Sequence, residues 1–219
     1  MFGLAITRRL AALLGSLALA TVLALTSPAT ASARPVSAQE AAADFTAALN
    51  AVDAFWRGHW SQFSNTAYSP PRIVGLYDSN TKRLTCGTEV LGQNAWYCPS
   101  GDYLAFDATF MRTFYSYGDA FIYLASAHEF AHAIQNRLGQ YNKQNMELQA
   151  DCLAGAALAG AQRDGLIVAE KGDQQELYNT LKALGDASYT RGANHGSGND
   201  RVAHYNLGVQ NGVGRCLKL

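Results

Sequence analysis

The string His128-Glu129-Phe130-Ala131-His132 constrains this chain more than any other feature. On a helix, residues i and i+4 lie on one face, one turn apart, so the two imidazoles can reach a single metal ion. Glu129 then lies beside that pair, next to the coordination position the protein leaves open, where it can accept a proton from water. With 5 His in 219 residues, and Glu about as scarce, the pattern is expected by chance roughly 0.003 times per chain. It is therefore read as a site. Phe121, Leu124, Ala125, Ala131 and Leu138 keep a helical apolar rhythm through it, which places the string on a helix.

A catalytic zinc site needs a third protein ligand. A metzincin would supply Gly at 135 and His at 138, but those positions hold Gln135 and Leu138. The candidate is Glu147. The helix continues about six residues past His132, roughly 9 Å at 1.5 Å per residue, to a stop at Gly139. Gln140 to Gln144 can turn the chain back, and Glu147 falls in the first turns of the returning helix, facing the histidines. Asp151, one turn later on the same face, can accept the other ring N–H of His128 and fix its tautomer. The expected centre is one Zn2+ on His128, His132 and Glu147, with Glu129 acting on its water. His195, just before a helix, is the candidate donor to the oxyanion. His204 reads as a helix-surface residue and His59 as the end of the first helix.

The first 33 residues read as a signal peptide. Arg8 and Arg9 precede an apolar run from Leu10 to Leu25, Pro28 breaks it, and Ala31-Ser32-Ala33 fits a cleavage site. The run is about 16 residues, short of the roughly 20 that span a bilayer, so cleavage is favoured over an uncleaved N-terminal anchor. Residues 34–219 then form one domain placed outside the cytoplasm. Removal of Arg8 and Arg9 turns a balance of 17 basic and 17 acidic residues into a slight acidic excess. No basic face is evident, which argues against nucleic acid as a partner. Cys86, Cys98, Cys152 and Cys216 read as two disulfides in an exported chain. Of three connectivities, Cys86–Cys98 with Cys152–Cys216 is favoured because the first pair flanks an expected hairpin. A four-cysteine zinc site would want a C-x2-C pair, which is missing.

The pattern predicts a helix over Ala38–Phe63, then strands at Arg72–Tyr77, Leu84–Cys86, Ala95–Cys98 and Tyr103–Phe106. Helices follow over Asp107–Tyr115, from Gly118-Asp119 to about Leu138, and over Asn145–Arg163, Asp173–Leu184 and Ser197–Asn211. A small sheet followed by helices is an α+β arrangement. Tyr103–Phe106 is expected at the sheet edge beside the cleft, where an extended peptide could pair with it.

These strings together resemble the bacterial neutral zinc metallopeptidases. Tyr97-Cys98-Pro99 with Asp102 and Phe106-Asp107 is similar to the family's strand before the catalytic helix. Gly118-Asp119, Ala127-His128-Glu129, His132 and Gln135 resemble that helix. Glu147-Leu148-Gln149-Ala150-Asp151-Cys152 with Gly155 is the most distinctive match, and His195-Gly196-Ser197 with Arg201 and Cys216 resembles the C-terminal element. The resemblance implies a zincin-like core with Glu147 as third ligand. Ala131 and Ala133 depart from the family's usual Gly and His, at positions that are neither ligand nor base. The expected activity is hydrolysis of a peptide or protein substrate. A zinc amidase acting on cell-wall peptide fits the same residues. A catalytically silent zincin-fold scaffold is the third reading, and the intact ligands and Glu129 weigh against it.

Overall fold

The computed structural model describes residues 38–141, 143–186 and 196–219. The expected signal peptide at 1–33 lies outside the described residues. The chain is an α+β fold with a small N-terminal sheet and a mostly helical C-terminal half.

Helix α1 spans Ala38–His59 and ends in a 3-10 turn at Trp60–Gln62. Strand β1 is Arg72–Tyr77, β2 Thr85–Cys86, β3 Glu89–Val90, β4 Ala95–Cys98 and β5 Tyr103–Asp107. Strand order is β1-β5-β4, with β1 parallel and β4 antiparallel to β5; β2 and β3 form a separate hairpin. The expectation that Tyr103–Phe106 forms the sheet edge is therefore corrected. It is the central strand, and all five of its residues are buried. The register explains why. Tyr97 pairs with Leu104 and Ala95 with Phe106, and these four join the main core under the helices. Cys98 pairs with Tyr103, and these two join Ala105, Tyr77 and Leu91 in a second cluster on the other face. The Cys86–Cys98 disulfide ties the hairpin to β4 beside that second cluster.

Strand β5 passes directly into helix α2 (Ala108–Tyr115). Asp107 makes the corner: one carboxylate oxygen accepts from Thr109 and Phe110 N–H, each at 2.9 Å, and the other from Ser79 N–H at 2.9 Å. Burial alone would raise its pKa, but these three backbone donors outweigh that and hold it below the ordinary value.

Helix α3 (Ala120–Arg137) is the central helix, buried nearly all round. It packs on α1, on β4 and on helix α4 (Met146–Arg163). Gly139 ends it with φ +66°, and Gln140 N–H bonds to Gln135 O at 2.7 Å, the six-to-one closure of a left-handed helix cap. Helices α5 (Asp173–Asp186), α6 (Gly198–Asn211) and α7 (Val213–Cys216) complete the fold. Ser197 caps α6 in a reciprocal capping box with Asp200.

The crossing of α4 and α6 is backbone against backbone. A Cβ on Gly155 would lie 2.2 Å from Tyr205 O, and one on Gly208 would lie 1.8 Å from Cys152 O. Glycine at both positions lets the helices approach closely enough for α6 to reach the site. The Cys152–Cys216 disulfide fixes the same region by joining α4 to α7. Closing loops of these lengths contributes about 3 kcal/mol for the short bridge and about 4 for the long one.

Candidate metal centre

Helix α3 carries His128, Glu129 and His132 on its inner side, all buried. One ligand atom from each lies within 4.8 Å of the other two. Helix α4 starts at Asn145, whose φ of +68° is a conformation Asn tolerates better than most residues. That start sets Glu147 in the first turn of α4, opposite the histidines.

The two imidazoles are anchored in the same way. His128 Nδ1 donates to Asp151 Oδ1 at 2.9 Å, and His132 Nδ1 donates to Gln135 Oε1 at 2.8 Å. Asp151 can only accept, and the Gln135 amide nitrogen is already donating to Met146 O at 2.8 Å and Gln149 Oε1 at 2.9 Å. The Nδ1 proton is thus fixed on each ring, and each Nε2 faces inward. Both converge on one atom: Glu147 Oε2 lies 3.2 Å from His128 Nε2 and 3.6 Å from His132 Nε2.

These separations test whether the residues fit a zinc ion. Bonds of about 2.0–2.1 Å in tetrahedral array place neighbouring ligand atoms about 3.3 Å apart. The distances from Glu147 to the two nitrogens fall at that spacing, so these three side chains fit such an ion. Two nitrogens and one oxygen are also the donor chemistry of a catalytic zinc with an open position.

Behind these three side chains lies a buried shell of hydrogen-bonded residues. Asp151 is 0 % exposed and Arg201, on α6, is 4 % exposed. Arg201 Nη2 donates to Asp151 Oδ1 and Nε to Oδ2, each at 2.8 Å. Burial would raise the Asp151 carboxyl, but the Arg201 guanidinium and His128 hold it below the ordinary value. Burial also opposes charge on His128. The Asp151 and Glu147 carboxylates outweigh it, and in the metal-free protein the His128 pKa is pushed up to about 10. On the other side, Gln149 Nε2 donates to Gln140 Oε1 at 2.8 Å and Cys216 O at 3.1 Å. This links the His132 support to the Cys152–Cys216 bridge.

Of the residues expected at the site, His128, Glu129, His132, Glu147 and Asp151 are brought together, whereas His195 lies outside the described residues. His59 ends α1 and bonds Asp164 at 2.7 Å, and His204 bonds its own helix at Asp200 O, 2.8 Å away. Neither enters the site. Four residues at the site were assigned no role from sequence. Gln135, Gln149 and Arg201 occur in the strings that carry the family resemblance, but nothing in their spacing tells what they touch. Tyr141, in the turn after α3, packs edge-on to His132 with ring centroids 5.9 Å apart. Burial and the nearby Glu129 and Glu147 carboxylates push its phenol up to about 12. Among the described residues, nothing hydrogen-bonds its hydroxyl.

Residues 2–214 match the family described as "Putative neutral zinc metallopeptidase". The chain is also 30 % identical over 177 residues to "Uncharacterized protein YpfJ" of Escherichia coli strain K12, a match covering 71 % of this chain and 60 % of that protein. The protein of the same name from Escherichia coli O6:H1 gives the same figures. The chain thus spans about 60 % of the length of these curated relatives. No solved structure matches it. Two inward-facing imidazoles on one helix, the carboxylate of the next helix between them, and a family match across nearly the whole sequence lead to one assignment: the chain belongs to the neutral zinc metallopeptidase family.

Proposed function

We propose that this protein is an exported zinc-dependent peptidase that holds one zinc ion on His128, His132 and Glu147 and uses Glu129 as general base. The observation that carries the reading is the convergence of His128 Nε2 and His132 Nε2 on Glu147 Oε2, at 3.2 and 3.6 Å. A bound zinc would supply a Lewis acid for the scissile carbonyl and lower the pKa of its water toward about 7. The chain's own groups do the rest. Glu129, buried beside the imidazoles, takes the proton of the attacking water and delivers it to the leaving nitrogen. Asp151 and Gln135 keep the ring protons on Nδ1, so Nε2 stays available. Tyr141, whose ring packs edge-on to His132, is the candidate donor to the oxyanion among the described residues. His195 remains the donor expected from sequence.

Export rests on the charged and apolar pattern of residues 1–33, a signal peptide in this reading, and on the two disulfides, which belong in oxidising compartments. Among the described residues, no helix is long and apolar enough to cross a membrane. The substrate is a peptide or protein. With β5 central, an extended chain would have to pair with an outer strand, and β4 is the one packed against α3.

The test is to purify the protein, measure bound zinc, and assay casein and peptidoglycan fragments with wild type and Glu129→Gln. The reading requires one zinc per chain in both proteins, and casein cleavage lowered by 100-fold or more in the variant, on the order of a general base's contribution. Cleavage of peptidoglycan fragments alone would shift the assignment to a cell-wall amidase. Zinc bound without cleavage of either would leave a scaffold.

A further inference from the structure

The last turn of α3 carries three polar side chains with different partners. Gln135 accepts from His132. Asn136 and Arg137 instead bond to residues of β4 and of the turn after it. Asn136 Nδ2 donates to Tyr97 Oη at 2.8 Å, and Tyr97 Oη donates to Asp102 Oδ1 at 3.0 Å. Arg137 Nη2 donates to Asp102 Oδ2 at 2.9 Å, while its Nη1 and Nε donate to Ala133 O and Ser69 O. The Tyr97 hydroxyl is thus paired both as donor and as acceptor.

Asp102 keeps its place with a left-handed backbone, φ +44°. Asp tolerates that conformation better than most residues, and such outliers persist where the surrounding bonds over-determine them. Here those bonds are the ones to Tyr97 and Arg137, with Arg72 N–H donating to Asp102 O at 2.9 Å. The Asp102 side chain is 47 % exposed, so ion-pair energy alone is a weak account of the arrangement.

What these bonds fix is the buried ring of Tyr97, and that ring bears on the metal centre. It meets Tyr141 edge-on, with centroids 5.7 Å apart and planes at 77°. Tyr141 in turn meets His132 edge-on, at 5.9 Å and 86°. Both pairs have the spacing and tilt that aromatic rings favour. Tyr141 belongs to the turn that ends α3, where its N–H donates to Gln135 O at 3.2 Å. Its side chain is only partly buried. The Tyr141 ring therefore stands between two others: His132, whose place the metal centre sets, and Tyr97, whose place Asp102 and Asn136 set.

We propose that Tyr97 is a positioning residue for the hydrolysis: pinned by Asp102 and Asn136, its ring holds Tyr141 against His132, where the Tyr141 hydroxyl serves the oxyanion. The inference rests on the peptidase reading and on Tyr141 as its donor. Displacing a catalytic group by about 1 Å can cost on the order of 100-fold in rate, so a ring that sets the place of a donor has a large effect without meeting the substrate. A simple staple between β4 and α3 would use the same hydrogen bonds. Its loss, however, would act whether or not Tyr141 keeps its hydroxyl, and that difference can be measured.

The test measures kcat and KM on a fluorogenic peptide built on a casein cleavage site, for wild type, Tyr97→Leu, Tyr97→Phe, Tyr141→Phe and the two double variants, with zinc content determined for each. Tyr141→Phe should lower kcat by about 100-fold. Tyr97→Leu should lower kcat by roughly 10- to 100-fold, with KM within about twofold and zinc unchanged. Tyr97→Phe keeps the ring and loses its pins, and should lower kcat a few-fold. On top of Tyr141→Phe, neither substitution of Tyr97 should lower kcat by more than about twofold. A second readout needs no activity: with isotope-labelled tyrosine rings, the nuclear Overhauser contact between Tyr141 and His132 should be lost in Tyr97→Leu. Should Tyr97→Leu fail to fold, Tyr97→Phe and its double variant decide. Equal losses with and without the Tyr141 hydroxyl would make Tyr97 a staple and overturn the proposal. A kcat indifferent to Tyr141→Phe, or a Tyr141–His132 contact that survives Tyr97→Leu, would also overturn it. Those results leave the peptidase reading standing as long as Glu129→Gln still abolishes cleavage, whereas no cleavage by wild type would overturn both.

Discussion

Replacing Arg201 with methionine isolates what holds the metal centre in shape. The exposures decide which regime of ion-pair energetics applies. At 4 % and 0 % exposed, Arg201 and Asp151 are a desolvated pair with two 2.8 Å bonds, and a third bond of 2.9 Å ties Asp151 to His128. Surface pairs contribute about 0–1 kcal/mol, whereas removing one partner of a buried pair costs about 3–5 kcal/mol because the other charge is left without compensation. Met fills much of the arginine's volume, so a cavity adds little. Arg201→Met should therefore lower the stability of the zinc-free protein by about 3–5 kcal/mol in urea unfolding. For a chain of this size that is a fall in Tm of about 6–20 °C. The loss also has a pH signature. Arg201 is the largest influence lowering the Asp151 pKa. In wild type, the stability this depression contributes is present above the ordinary carboxyl pKa of about 3.9 and is lost as the pH falls through the lowered value. In Arg201→Met the carboxyl rises toward or beyond its ordinary value, so that acid-side loss shrinks and the variant's deficit narrows at low pH. Arg201→Lys, which keeps the charge but not the fork, should lie between. A loss below about 1 kcal/mol at neutral pH would mean that the pair behaves as a surface one, and the argument from burial would fail.

Three further outcomes follow from the same geometry. Asp151→Asn should weaken zinc about 10- to 100-fold in competition titrations with a chelator, since the His128 tautomer loses its anionic acceptor; unchanged affinity would remove Asp151 from any role in zinc binding. Because the His128 pKa is about 10 in the metal-free protein, zinc uptake near pH 8 must displace its proton. Calorimetry in buffers of different ionisation enthalpy should then register release of about one proton, and none would contradict the raised pKa. Gly208→Ala should cost roughly 3 kcal/mol or prevent folding, because the added Cβ would meet Cys152 O at 1.8 Å. Gly58→Ala, at an exposed position of α1 with nothing within 4 Å, should instead stabilise by roughly 0.5–1 kcal/mol.

What could be read from the sequence follows the range of each physical signal. Helices α3 and α4 were legible because an apolar period of 3.6 and a glycine stop at 139 are local. The approach of Glu147 to the histidines was legible because only a short turn separates the two helices. The disulfide pairs were legible because one flanked a hairpin, which left the second by elimination. Strand order was not. Short strands carry no label for their neighbours, and Tyr103–Phe106 was misplaced at an edge. A signal was present all the same. Tyr-Leu-Ala-Phe is an unbroken apolar run, the pattern of a strand covered on both faces. Arg201 was out of reach in another sense. It is 50 residues from Asp151, and only the crossing of α4 over α6 brings it there.

That crossing bears on how the site can wait for an ion. Two imidazoles and a carboxylate held at 3.2–3.6 Å in a buried space are costly to hold unless each is otherwise satisfied. Here the costs are met outside the ligand set. Gln135 and Gln149 carry the His132 side through to Cys216 O, and Asp151 with Arg201 carries the His128 side. Both supports end on the C-terminal helices α6 and α7, which α4 holds by glycine contact and by the Cys152–Cys216 bridge. The geometry of the proposed metal site therefore depends on segments more than 60 residues downstream of its histidines. Reducing the Cys152–Cys216 bridge should loosen the His132 support before the His128 one, since only the former passes through Cys216 O. Zinc affinity should then fall in the reduced protein while the Arg201–Asp151 pair persists. An affinity unchanged by reduction would show that α3 and α4 hold the site by themselves.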